Sequence, residues 1–355
     1  MVRCLPLKSL FIMGSAGSGK TAMAVGLALK FKQEGLKVSY FKPVGVAVTA
    51  GKADEDAVLM KEILNMDAPL ETIVPTNASP FYLSRGNRQA EMLQTIEEAF
   101  HQLSAHSDLV IVDSAIFPHI MGTIGLDAPS LAAKLKSSAI YLINVKNDYS
   151  LDQAVFFNKY IQYSGVPVIG NLFTHVPRPI LAKIEGVYKP LLNENGFVTL
   201  GIIPKITELT APSVAQVYEV LGGELLTGEK HLDLLVEDIM VGAMTIESAL
   251  AFLRRTNNKV FITGGDRADM ALAALETSTS AIILTGGLYP DVKVISRAVE
   301  KDVPVILVHY DTYTTIEKLS ELSGRITPAD QGSIHKALEN VEKYCDWQTI
   351  LKSLG

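Results

Sequence analysis

From residue 8 to about 220, short apolar runs alternate with longer amphipathic stretches, a pattern that predicts parallel strands joined by covering helices. The predicted strands are Leu10–Met13, Val38–Phe41, Leu109–Asp113, Ala139–Val145, Val166–Phe173 and Val198–Ile203. The predicted helices are Lys20–Gln33, Asp56–Leu64, Arg88–Ala105, Ala128–Leu135, Leu151–Tyr163, Pro179–Asn193 and Pro212–Val220. A polar, turn-forming stretch from Leu221 to Lys230 interrupts the pattern and reads as a linker. Beyond it the apolar runs Val260–Thr263, Ala281–Leu284 and Pro304–His309 recur roughly every 22 residues. Helix-like stretches Arg267–Leu275, Asp291–Glu300 and Thr314–Leu322 follow them, which predicts a second, smaller parallel α/β unit. The expected organisation is a first domain over 1–222, a linker over 223–231, a second domain over 232–323 and a helical extension over 324–355.

In parallel sheets ligands gather at the carboxyl ends of the strands, so each strand exit is a place to look for chemistry. The first exit carries Gly14-Ser15-Ala16-Gly17-Ser18-Gly19-Lys20-Thr21, with four residues between Gly14 and Gly19-Lys20-Thr21. That is the P-loop spacing, directly behind a buried apolar run and opening a helix. Glycines let successive backbone N–H groups turn inward around phosphate oxygens, Lys20 supplies a point charge, and the Thr21 hydroxyl can ligate Mg²⁺. The second exit gives Lys42-Pro43-Val44 and then Asp54-Glu55-Asp56 at a helix start. Such an acidic cluster can act as cap and dipole partner or hold a metal. The third exit places Asp113 after Leu109-Val110-Ile111-Val112, a carboxylate ending a buried strand. Thr21, Asp56 and Asp113 together could offer oxygens to one Mg²⁺, with Lys42 facing an anion beside Lys20. His119 and His175 lack a metal-ligand partner at helical spacing and read as loop or edge residues. Arg85 and Arg88 could clamp an anion or simply sit at a solvated helix start, within a turn-rich Pro75–Arg88 stretch that could form a lid.

Composition narrows the classes. The 355-residue chain is 48% hydrophobic and 20% charged, with a net charge of −6 and no basic stripe, so nucleic acid is not expected as a partner. Its two cysteines, Cys4 and Cys345, lie at opposite ends and form no metal-type cluster, which fits a reducing, cytoplasmic setting. No apolar run approaches the ~18 residues of a membrane span, and no membrane association is expected. The apolar start runs straight into the P-loop without a small-residue cleavage pattern, so it is not read as a signal peptide.

The segment VSYFKPVGVAV followed by DEDAVLMKEIL resembles dethiobiotin synthetase and its relatives, including cobyrinic acid a,c-diamide synthase and the amino-terminal domain of long phosphotransacetylases. The resemblance implies that Lys42 contacts substrate or transferred phosphate and that Asp56 joins Thr21 and Asp113 around Mg²⁺. The family acid is usually Glu before a glycine-rich loop, whereas here Asp113 precedes Ser114-Ala115-Ile116-Phe117. Within Gly170–Pro177 the position from which family members read adenine with Asn is Thr174, and the neighbourhood of Pro204 is the one that covers the base. ATP is the nucleotide the resemblance implies. The signature lysine position of partitioning-type ATPases holds Ser15, which speaks against a partner-bridging switch of that kind.

In the second domain the strand exits Gly264-Gly265-Asp266-Arg267, Thr285-Gly286-Gly287 and Tyr310-Asp311-Thr312 resemble the DRTGG domain. Paired glycines permit backbone approach to a ligand, while Asp and Thr at helix starts can simply cap, so a second ligand site and a packing role both stand. A P-loop domain followed by a DRTGG domain is similar to the regulatory front half of long phosphotransacetylases. Two activities follow as expectations: ATP hydrolysis or ATP-dependent activation of a small anionic metabolite, or nucleotide and metabolite sensing that reports to a regulatory partner. An oligomerisation module is the third. A homodimer is expected from the resemblance, since sites of that family often lie near a two-fold interface.

Overall fold

The computed structural model describes residues 8–46, 53–79, 81–85, 89–206, 211–320, 322, 326–328 and 330–355. The expectations for Cys4, Arg88, Gly324 and most of the loop Gly45–Lys52 lie outside them. The chain divides into two compact units: residues 1–206 with 326–355, and residues 207–325. No helix among the described residues is long and apolar enough to cross a membrane.

The first unit is a six-stranded parallel sheet. In chain order its strands are β1 (Lys8–Gly14), β2 (Val38–Phe41), β5 (Leu109–Asp113), β6 (Ser138–Asn144), β7 (Val168–Val176) and β8 (Thr199–Pro204), arranged as β2-β5-β1-β6-β7-β8. A separate pair, β3 (Val44–Val46) with β4 (Thr76–Ala78), is also parallel. Burial on both faces explains why the inner strands read as continuous apolar runs: β5 is buried at every position and β1 at all but its first. Parallel register sets Ile12 beside Asp113 and Gly14 beside Leu142, so the first three chemically marked exits open at one edge.

Helix α1 (Lys20–Gln33) leaves β1 through the P-loop and is buried on more than one side, at Met23, Ala24, Val25, Gly26, Leu27, Ala28 and Phe31. One side faces the sheet; the helix Gln331–Tyr344 packs along α1 and buries its own Ile334, Ala337 and Val341. The Lys30 ammonium lies 4.6 Å above the Trp347 ring and 3.1 Å from Glu342, and the Asp346 N–H donates to the Leu200 carbonyl. The expected extension is therefore part of the first unit's body. Helix α2 (Glu55–Leu64) begins at Asp54, whose carboxylate caps the Ala57 N–H.

The second unit has the strand order β10-β11-β12-β13-β9, with β10 (Asp238–Val241), β11 (Lys259–Gly264), β12 (Thr279–Thr285) and β13 (Val305–Leu307) parallel. Here the structure departs from the expected boundaries. Strand β9 (Glu224–Thr227) lies within the expected linker and pairs antiparallel with β13. Helix Val214–Leu221, closed by a Ser213/Gln216 capping box, packs Val214, Val217 and Leu221 into this unit's core. The physical division therefore falls near residue 206, upstream of the polar stretch.

Candidate functional site

Lys20 opens α1, and Gly17 and Gly19 before it adopt positive φ of 65° and 79°, a backbone only glycine enters without strain. Ser18 is fully buried and its N–H closes a turn on the Ser15 carbonyl. The Lys20 ammonium folds back onto the carbonyls of Gly14 (3.3 Å), Ser15 (3.2 Å) and Ile116 (3.3 Å). Burial pulls its pKa below the ordinary lysine value against the pull of Asp113 and Asp56. The segment after Asp113 thus closes over the P-loop lysine.

The structure brings the expected metal and anion residues together. Thr21 Oγ1 donates to Asp56 Oδ1 at 2.9 Å, and Lys42 Nζ lies 2.6 Å from Asp56 Oδ2 and 2.8 Å from Asp54 Oδ2. Burial opposes the Lys42 charge, but Asp56, Asp113 and Asp54 outweigh it and hold the ammonium above its ordinary value. Burial likewise opposes the Asp56 charge, yet Lys42, Thr21 and Lys20 keep that carboxyl below its usual range. Asp113 is 1% exposed; burial, aided by the Asp56 charge, pushes it up to about 6. Its Oδ2 accepts from the Tyr40 hydroxyl at 3.0 Å, while its Oδ1 is buried with no hydrogen-bond partner.

That orphaned oxygen tests the fit of Mg²⁺. A buried carboxylate oxygen without a donor is unfavourable unless a cation or water meets it. Among the described residues no group of three or more His, Cys, Asp or Glu side chains converges as a metal site. Mg²⁺ takes few protein oxygens and keeps several waters, so a hydroxyl and two carboxylates suit it. The residues present fit the ion, with Thr21, Asp56 and Asp113 as those that would hold it.

Two expected base-side residues fare differently. Thr174 is 3% exposed and its hydroxyl donates to the Ile143 carbonyl at 3.3 Å, so it is turned into the sheet and cannot read a base. Its neighbour His175 faces the P-loop: with φ of 53°, it sets Nε2 3.2 Å from where a Cβ on Gly19 would sit. Burial lowers the His175 pKa against the raising influence of the Gly17 carbonyl, which leaves a neutral imidazole at neutral pH. Pro204 ends β8 in register with Val176, beside this turn. Tyr40 and Asn144, whose amide donates to the Gly17 carbonyl at 2.9 Å, are site residues the sequence reading did not single out, and it placed Asp54 only in an acidic helix start and His175 only as a loop or edge histidine. Strand alternation was the available signal for His175: adjacent residues of a strand point to opposite sides.

In the second unit the exits of β11, β12 and β13 meet, and they meet through each other. A Cβ on Gly265 would lie 1.8 Å from the Leu288 carbonyl oxygen, and one on Gly287 would lie 2.8 Å from His309 Nδ1. The N–H groups of Gly286 and Gly287 donate to the Tyr310 and Val308 carbonyls. Thr285 Oγ1 pairs with Thr312 Oγ1 at 3.0 Å, and Arg267 is held by Asp269 at 3.0 Å and the Met244 carbonyl at 3.3 Å. Gly264 carries Asp266 folded against it. Close loop packing accounts for Gly265 and Gly287, and a positive φ of 84° for Gly286, where an added Cβ would meet nothing within 4 Å.

A six-stranded parallel sheet whose central strand feeds a glycine loop and helix is the P-loop NTPase architecture. The chain belongs to the AAA domain family, whose model matches residues 8–213, and residues 216–322 match the DRTGG domain. It is 24% identical over 332 residues to the phosphate acetyltransferase of Pseudomonas putida, covering 89% of this chain and 47% of that protein. It is 25% identical over 358 residues to the phosphate acetyltransferase of Nitratidesulfovibrio vulgaris, covering 93% and 49%. The chain thus spans about half the length of the curated relatives it matches. Among solved structures it is similar to the septum site-determining protein MinD of Pyrococcus horikoshii complexed with Mg-ADP, at 17% identity over 56% of this chain and 82% of that one, with a TM-score of 0.34.

Proposed function

We propose that the first unit binds Mg-ATP and uses it to hydrolyse or transfer the terminal phosphoryl group to a small anionic metabolite held near Lys42. The observation that carries this reading is the buried Asp113 carboxylate, one oxygen unpartnered, set among Lys20, Lys42 and the Thr21–Asp56 pair. Bound Mg²⁺ would supply charge neutralisation at the phosphates. The chain's own residues do the rest. The P-loop N–H groups cradle phosphate, Lys20 exchanges its carbonyl partners for phosphate oxygens, and Lys42 orients an anion while Asp54 keeps it charged.

A specific observation also favours a sensor. Lys42 is matched by two carboxylates and the Lys20 ammonium donates to the Ile116 carbonyl, so both lysines have partners within the protein that a nucleotide would have to displace. The DRTGG unit would then report a bound nucleotide to a regulatory partner. Calorimetric titration of ATP with Mg²⁺, with phosphate release followed in the same sample, separates the two. Tight binding with sustained release supports the enzyme, and tight binding alone supports the sensor. Equal ATP affinity in wild type and Lys20→Ala would overturn nucleotide binding at this loop.

A further inference from the structure

We infer that Asn144 and His175 are positioning residues: from two neighbouring strand exits they hold the Gly17 carbonyl and set the glycine loop for phosphate before any ligand arrives. The inference rests on the reading that this loop takes the phosphates of a nucleotide.

His175 reaches the loop through a break in strand geometry. Sheet order puts β7 two strands from β1, with β6 between them. Phe173 pairs with Ile202 and Val176 with Pro204, so Thr174 and His175 together stand against the single residue Ile203. That is a bulge, a device that re-aims a side chain and recurs beside sites of chemistry. His175 also takes a φ of 53°, a left-handed backbone that is unfavourable for a residue with a Cβ and persists only where its surroundings hold it. Thr174 stays on the Ile143 carbonyl, and His175 is sent toward the start of α1. Its Nε2 and Cε1 lie 3.2 and 3.3 Å from where a Cβ on Gly19 would sit, and Gly17 is the backbone hydrogen-bond partner of the ring.

Asn144 reaches the same carbonyl from the strand between. It ends β6 in register with Thr174, and its amide donates to the Gly17 carbonyl at 2.9 Å. A trans peptide is planar, so its carbonyl and the following N–H point opposite ways and cannot be turned separately. The Gly17–Ser18 peptide is therefore fixed at both ends, its carbonyl by Asn144 and His175 and its N–H by the Ser15 carbonyl at 3.2 Å. Gly17 and Gly19, with φ of 65° and 79°, would otherwise let this segment wander, and ordering it would cost affinity. With the plane fixed, the N–H groups of the first turn of α1, which have no helical acceptor, stay presented to an anion. The clamp thus acts on the phosphates and not on the base.

Calorimetry of the full chain with ATP and, separately, with inorganic tripolyphosphate tests this, alongside hydrogen exchange of residues 14–21 in ligand-free protein. Asn144→Leu keeps the volume and drops the donor; His175→Phe keeps a ring against Gly19 and drops the N–H. Each should weaken ATP and tripolyphosphate by the same factor, about five- to tenfold. Each should also speed exchange within the loop, while the emission of Trp347, the single tryptophan, stays that of wild type. A His175→Phe loss confined to ATP would overturn the proposal and assign the ring to the nucleoside. Loop exchange unchanged in both variants would overturn it as well. If wild type takes up neither ATP nor tripolyphosphate, the nucleotide reading fails, and the exchange comparison still decides whether the loop is clamped.

Discussion

Asp113 shows how one buried residue ties stability to function. Its carboxyl is pushed from an ordinary 3.8 up to about 6, so the folded protein holds this proton more tightly than the unfolded chain does. The sign follows from linkage. Below about pH 4 both states are protonated and no penalty exists; as pH rises toward 6 the unfolded state releases its proton first, and stability falls. Above pH 6 the full penalty is present, on the order of 3 kcal/mol for a shift of this size. Asp113→Asn keeps an acceptor for the Tyr40 hydroxyl and removes the charge. In metal-free protein it should raise the stability of the first unit at pH 7 by about 2 to 3 kcal/mol and leave it unchanged near pH 4. Urea denaturation followed by Trp347, the single tryptophan of the chain, reads that unit. The same variant should lose any Mg²⁺ dependence of nucleotide binding. A protein sitting above its stability minimum in the metal-free state would show no gain from Asn.

At the scale of elements, Lys259 at the start of β11 is a structural counterpart to the P-loop lysine. Its side chain is fully buried, and its ammonium sits among four acceptors for its three N–H groups, the carbonyls of Leu253, Thr256 and Ser278 and the Thr277 hydroxyl, at 2.7 to 3.1 Å. It thus ties together the chain segments leaving the helices Ile246–Leu253 and Ala268–Leu275. Lys259→Met strips these carbonyls of their donor and should destabilise the second unit by about 2 to 3 kcal/mol, read as faster amide exchange along β11 and β12. Burial pulls this lysine down to about 8, so the wild-type unit should gain stability as pH rises from 8 toward 10, and the Met variant should not. Two strands escaped the sequence reading: β10, which pairs with β11 beside Lys259, and β9 at the opposite edge of the sheet. Strands β9 and β10 are edge strands, partly exposed along their length, and their apolar stretches are short: Leu225-Leu226 in β9 and Ile239-Met240-Val241 in β10. The inner strands of both sheets, the P-loop and the order of Lys42, Asp56 and Asp113 were legible because burial on two faces and fixed spacing leave marks within a few residues. Tyr40, Asn144 and His175 were not, because each meets its partner across strands far apart in sequence.

For the whole molecule, the order of the chain makes a prediction of its own. Among the described residues, each apolar cluster of the second unit draws on residues between Val214 and Leu322, whereas the first unit needs Ile326–Gly355 as well as residues up to Ile206. The reason lies in α1: a helix buried on more than one side must be covered away from its sheet, and the helix Gln331–Tyr344 does that. The P-loop opens this same helix, so the cover and the P-loop are mechanically one piece. Replacing 207–325 by a short Gly/Ser linker should therefore leave a folded protein with wild-type nucleotide affinity. Ending the chain at residue 325 should uncover the apolar side of α1, lower the melting temperature and weaken nucleotide binding by at least tenfold, on the order of 1.4 kcal/mol. Circular dichroism melts and calorimetry on the two variants separate the cases. If the linker replacement unfolds while the truncation binds normally, the second unit, not the C-terminal helices, would be what holds the P-loop helix in place.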